Sequence, residues 1–81
     1  MTREEVKKVV FEELAHLAPE ADLSALPAKA RLREELDLDS FDFGRLLTAF
    51  DARLHVAVPE TDAAQLETLE GCVEYLQARL P

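Results

Sequence analysis

The segment Leu36-Asp37-Leu38-Asp39-Ser40-Phe41-Asp42 concentrates the residues of this chain that are best placed for chemistry. It puts one hydroxyl, on Ser40, among three carboxylates at the point where a loop gives way to a helix. Asp39 or Ser40 suits the cap position, and Asp42 lies in the first turn near the positive end of the helix dipole. A phosphate esterified to Ser40 would meet unpaired backbone N–H groups there, an environment suited to an anion. The plainer reading is that a serine at a helix start serves only as a cap.

Other chemistries fail on residue type or spacing. A serine hydrolase needs an activated nucleophile, and Ser40 lacks the Gly-x-Ser-x-Gly elbow. Counted from Asp37, a calcium-binding EF-hand loop requires Gly where Asp42 stands and Glu where Thr48 stands. Cys72 is the sole cysteine, so it forms no internal disulfide. With only His16 and His55 beside it, it makes no metal cluster. Falling at helical spacing among Leu69, Val73 and Leu76, it reads as a core thiol. His16 lies near the end of the first predicted helix and His55 follows the second, where a cation complements the dipole. No catalytic or metal-ligating residue is assigned.

The elements that must position Ser40 follow from periodicity. Thr2-Arg3-Glu4-Glu5 has the form of a capping box, and Val6, Val9, Val10, Leu14 and Leu17 follow at helical spacing, predicting a helix over residues 3 to 17. Pro19 ends it. Residues 19 to 33 carry Pro19 and Pro27 among Leu23, Leu26 and Leu32, which reads as a long ordered loop pinned to a core. Phe43, Leu47, Phe50 and Leu54 then fall on one face of a helix over residues 40 to 54. Val56-Ala57-Val58 alternates like a short strand but has no evident partner. Asp62 to Leu66 suits a single helical turn. Thr68 caps a last helix bearing Leu69, Val73, Leu76 and Leu80, with Gly71 weakening its first turn. The expectation is an all-α fold: one domain over residues 1–81, with three longer helices, one short one, and a long loop between the first and second.

With 81 residues and apolar residues at 48%, the chain supports one small core and leaves little room for a deep cleft. No apolar run approaches the roughly 20 residues of a membrane span. The N-terminus lacks a basic region followed by an apolar one, so a soluble, cytoplasmic monomer without stable membrane insertion is expected. Residues 1 to 33 balance six acids against six bases, whereas residues 34 to 81 hold eleven acids and three bases, which accounts for the net charge of −8. That surface repels nucleic acid and suits partners with basic patches; it also serves simply to keep the chain in solution.

Leu36-Asp37-Leu38-Asp39-Ser40-Phe41-Asp42 resembles the Asp-Ser-Leu-Asp attachment segment of acyl carrier proteins, with Phe41 in the usual place of Leu. Leu32 to Leu36 resembles the family's run into that motif, Val56 to Glu60 its connection after the second helix, and Leu66 to Leu69 the start of its last helix. The resemblance implies a four-helix bundle that is not itself an enzyme. A phosphopantetheinyl transferase would attach 4′-phosphopantetheine from coenzyme A to Ser40, and the arm's thiol would hold acyl groups as thioesters for acyl-loading and acyl-processing enzymes. These act in fatty acid, polyketide or related lipid biosynthesis. The implied docking residues are Asp37, Asp39, Phe41, Asp42, Arg45, Asp51, Glu60 and Asp62. An acyl pocket would lie around Phe43, Gly44, Leu47 and Leu66.

Two departures bear on partner choice. Gly44 stands where the family has an aliphatic residue facing the bundle, and Phe41 and Phe43 are expected to refill that volume. Arg45 stands where the family commonly presents a glutamate, which implies a specialised carrier, unless Arg45 simply pairs with a neighbouring acid such as Asp42. The alternatives are an aminoacyl or peptidyl carrier, whose usual Gly-Gly before the serine pair is missing here, and a helical adaptor that is never modified.

Overall fold

A computed structural model describes residues 1–81. Helix α1 spans Arg3–Leu17, a short α2 spans Leu32–Glu35, α3 spans Ser40–Leu54 and α4 spans Leu69–Arg79, with 3-10 segments at Leu23–Ala25 and Glu60–Leu66. The architecture is the expected all-helical bundle. α1 opens on a true capping box: the Thr2 hydroxyl accepts from Glu5 N–H at 3.2 Å and the Glu5 carboxylate accepts from Thr2 N–H at 2.8 Å. That hydrogen bonding holds the Glu5 carboxyl below the usual carboxylate range.

The core forms where the apolar stripes of α1, α3 and α4 meet. Val6, Val10 and Leu14 face Phe43, Leu46 and Phe50 from α3 and Cys72, Val73 and Leu76 from α4 in one buried cluster that also takes in Leu32 and Leu66. No polar or charged residue is buried. The bundle therefore rests on apolar burial, worth about 1.5–3 kcal/mol for each large side chain removed from water. At its rim Arg53 clamps α3 to α1 through Glu12 and Glu13, both at 2.9 Å. Tyr75 O–H donates to the Asp62 carboxylate at 2.7 Å, tying α4 to the 3-10 segment before it.

The long connection after α1 differs from the loop read in the sequence in having structure of its own. It contains the 3-10 turn Leu23–Ala25, and α2 begins at Leu32. It is ordered because it caps the last helix. Leu69 N–H donates to Ala30 C=O at 3.1 Å and Glu70 N–H to Ala28 C=O at 2.7 Å, while Leu32 N–H returns a bond to Glu67 C=O at 2.8 Å. Those contacts supply acceptors to α4 N–H groups that its own turns leave unpaired.

Three local expectations are corrected. Val56-Ala57-Val58 is not a strand, because no segment pairs with it; the only β-bridge joins Arg31 and Thr68. Asp62 to Leu66 belongs to a longer 3-10 segment that starts at Glu60. Gly71 is required by packing. A Cβ built on it would lie 2.5 Å from the Gln65 carbonyl oxygen, so the backbone approaches closely where only hydrogen fits.

Cys72 is fully buried, and desolvation pushes its thiol up from 9.0 to about 12. The folded chain keeps that thiol neutral after the unfolded chain has begun to ionise. Its contribution to stability is therefore intact below pH 9.0 and is lost progressively between 9.0 and about 12. Urea unfolding followed across that range is expected to show falling stability, with a flatter slope in Cys72→Ala even though that variant starts lower. An equal slope in the two would remove Cys72 as the cause. At pH 8 Cys72 should resist alkylation until the chain is unfolded.

Candidate functional site

The loop-to-α4 clasp sets the approach to Ser40. It holds residues 28 to 32, from which α2 rises, and α2 ends in a turn closed by a Schellman-type bond, Leu38 N–H donating to Arg33 C=O at 2.9 Å. The turn requires a left-handed residue, and Asp37 takes that position with φ 53°, a conformation more accessible to Asp than to most non-glycine residues. Leu38 is buried and anchors the turn, so the next residues emerge at the surface in a set direction.

Asp39, not Ser40, caps α3. Its carboxylate accepts from Asp42 N–H at 2.7 Å, and the Asp42 carboxylate accepts from Asp39 N–H at 3.4 Å. Ser40 is the first residue of the helix, exposed, and its hydroxyl has no hydrogen-bond partner. Ser24, the chain's other serine, donates its hydroxyl to Asp22 at 2.6 Å. Ser40 thus offers the free serine hydroxyl, on a rigid element, beside backbone N–H groups of the first helical turn.

The expected docking residues do not form one uniform acidic face. Asp37, Asp51 and Glu60 are exposed and free of ion pairs. Asp39 and Asp42 are joined in the cap, yet their charges remain at the surface. Asp62 is turned inward, its carboxylate engaged by Tyr75 and lying 3.9 Å from Arg79. Phe41 is 68% exposed. Arg45 pairs with no acid; its guanidinium stacks over the Phe41 ring, 4.9 Å from the centroid. The i,i+4 spacing of Phe41 and Arg45 was the available signal for that stack.

Of the residues expected to line an acyl pocket, Phe43 and Leu66 are buried in the core and Leu47 packs on its edge. Gly44 is elsewhere: it is exposed, and a Cβ built there meets nothing within 4 Å. The bundle-facing position expected for it is corrected, and Phe41 does not refill any interior volume, because the core-facing stripe of α3 runs through Phe43, Leu46 and Phe50.

Known proteins similar to this chain match it over nearly its whole length. A family model described as "Phosphopantetheine attachment site" matches residues 8–76. The acyl carrier protein of Helicobacter hepaticus is 30% identical over 77 residues, covering 95% of each chain. The chain belongs to the acyl carrier protein family. The acyl carrier proteins of Campylobacter jejuni, 32% identical over 75 residues, and Phenylobacterium zucineum, 31% identical over 77 residues, are further relatives; each alignment covers at least 93% of this chain and 91% of theirs. The family's cofactor is 4′-phosphopantetheine, and the free hydroxyl at the head of α3 fits a group attached through a phosphodiester. No helix is long and apolar enough to cross a membrane.

Proposed function

We propose that this protein carries acyl groups as thioesters on a 4′-phosphopantetheine arm attached to Ser40 and presents them to the enzymes of fatty acid, polyketide or related lipid biosynthesis. The observation that carries this reading is the division of labour at the head of α3. Asp39 takes over the capping that would otherwise occupy the serine, and the Ser40 hydroxyl is left exposed and unbonded. A transferase links the Ser40 oxygen to the phosphorus of coenzyme A that bears the pantetheine, with loss of the nucleotide and of the serine proton. The arm then supplies a terminal thiol on which the acyl group is held. What the chain itself contributes is a rigid anchor, a buried and unreactive Cys72, and a recognition surface.

Asp37, Asp51 and Glu60, with the charges of exposed Asp39 and half-buried Asp42, are assigned to steer partners that carry basic patches. Steering of this kind speeds brief encounters without tight binding. Raising ionic strength is expected to depress the transferase's kcat/KM toward this chain; a rate indifferent to salt would take these acids out of recognition. A cargo entering the bundle would part Phe43, Leu47 and Leu66, while Gly44 lies outside that path.

The direct test is intact mass after incubation with coenzyme A and a broad-specificity phosphopantetheinyl transferase, followed by peptide mapping. Gain of one phosphopantetheine on the peptide that contains Ser40 supports the carrier reading. Absence of any gain with several transferases overturns it in favour of an unmodified helical adaptor.

A further inference from the structure

The outer face of α3 carries a trough that the assignments above leave unused. Ser40, Phe41, Gly44, Arg45 and Thr48 border a single groove open to solvent. Gly44 makes its floor, since no side chain rises there and no neighbour stands within 4 Å of the Cβ position. Gly44 and Thr48 follow Ser40 by one and two turns, so the floor runs about 12 Å along the axis at 1.5 Å per residue. Thr48 O–H donates to the Gly44 carbonyl at 3.0 Å, so the floor's backbone acceptor is already engaged.

One wall is the stack of Arg45 on Phe41, with the guanidinium 4.9 Å from the ring centroid. Helical side chains lean toward the N-terminus, and this stack brings the Arg45 charge back to the level of Phe41, next in sequence to Ser40. Arg53, the other cation of α3, is held by Glu12 and Glu13. Arg45 is in no ion pair, although the chain has 17 acidic residues. An unpaired cation, a large exposed ring and an empty floor thus adjoin the free hydroxyl.

We propose that the prosthetic arm on Ser40 lies back along α3 in this trough, its phosphodiester paired with Arg45 and its pantetheine chain passing over Gly44 toward Thr48. This rests on Ser40 being the attachment site. Charge complementarity selects the occupant: the phosphodiester adds a negative charge between Asp39 and Asp42, and Arg45 is the cation of α3 free to balance it. Phe41 offers apolar surface to the gem-dimethyl segment of the arm. Because the arm is tethered at one end of the groove, its local concentration is of millimolar order and weak contacts hold it. A partner that docks on Phe41 and Arg45 takes over the same wall, so docking releases the arm and delivery of the thiol is coupled to recognition.

The test compares amide spectra of ¹⁵N-labelled apo and holo protein, with attachment verified by mass. In the holo protein the amides of Arg45 and Thr48 are expected to shift, and the arm's methyl protons to show cross-relaxation with the Phe41 ring and the Gly44 α-protons. Holo forms of Arg45→Gln and Gly44→Leu, both exposed positions, should show the Thr48 amide where the apo form of the same variant has it and should lose the cross-peaks to the Phe41 ring. A mass gain with shifts confined to residues 39 to 41 overturns the trough and leaves the Ser40 assignment standing. Failure to gain mass overturns both.

Discussion

Ser40→Ala is expected to abolish phosphopantetheine attachment completely while leaving the melting temperature unchanged. The loss is total because the ester oxygen itself is removed. Ser24 does not substitute for it, because its hydroxyl is committed to Asp22. Stability is spared because the Ser40 hydroxyl makes no hydrogen bond and the cap of α3 belongs to Asp39. Asp39→Ala should do the opposite, losing the cap and with it about 1 kcal/mol of stability, or roughly 4–8 °C in a domain of this size, with Ser40 still present to be modified. Mass spectrometry and thermal unfolding on the two variants separate anchor from cap. If Ser40→Ala were the one that melted early, the serine would be part of the cap and the observation behind the carrier reading would be wrong.

The chain's two glycines should respond to alanine with opposite signs. Gly44 sits in the middle of α3 with open space around its missing side chain, so Gly44→Ala gains helix propensity of about 1 kcal/mol with nothing to oppose it. Gly71 lies in the first turns of α4, where the added methyl would stand 2.5 Å from the Gln65 carbonyl oxygen and 3.0 Å from the Thr68 hydroxyl. The closer of those atoms is backbone, so relief requires the 3-10 segment to move away from α4, and overpacking of this kind costs about 1–3 kcal/mol. Thr68 Oγ also accepts from Gly71 N–H at 3.0 Å, so displacement strains the cap as well. Thermal melts of both variants settle the matter: a rise for Gly71→Ala would show that the contact is soft.

The two alanine variants also bear on the site. Leu66 ends the segment that Gly71 holds against α4, and Glu67 accepts the bond from Leu32 N–H that seats the start of α2. A shift there propagates along α2 and Asp37 to the head of α3. Gly71→Ala is therefore the substitution expected to disturb the presentation of Ser40 from a distance, whereas Gly44→Ala acts only on the groove floor.

Much of this was legible in the residue order because the governing physics is local. The capping box of α1, the apolar periodicity of α1, α3 and α4, the Thr68 cap and the break at Pro19 depend on neighbours within a turn or two. So does the placement of Ser40 at the head of a helix, and a short motif shared with a family is read in the same local terms. Burial of Cys72 followed from its position between Leu69, Val73 and Leu76.

What the order of residues left open is what depends on partners distant in the chain. Which of Asp39 and Ser40 makes the cap turns on the direction in which the chain leaves α2, and that direction is set by bonds from residues 28 to 32 to residues 67 to 70. Gly44 and Gly71 are the same residue type in helices, yet only the packed structure distinguishes an open face from a backbone contact. Asp62 and Asp51 are equally acidic on paper; the fold turns one toward Tyr75 and Arg79 and leaves the other to solvent. Periodicity reports which face of a helix is apolar, but what a given polar side chain or glycine meets across the interface is decided by the tertiary arrangement alone.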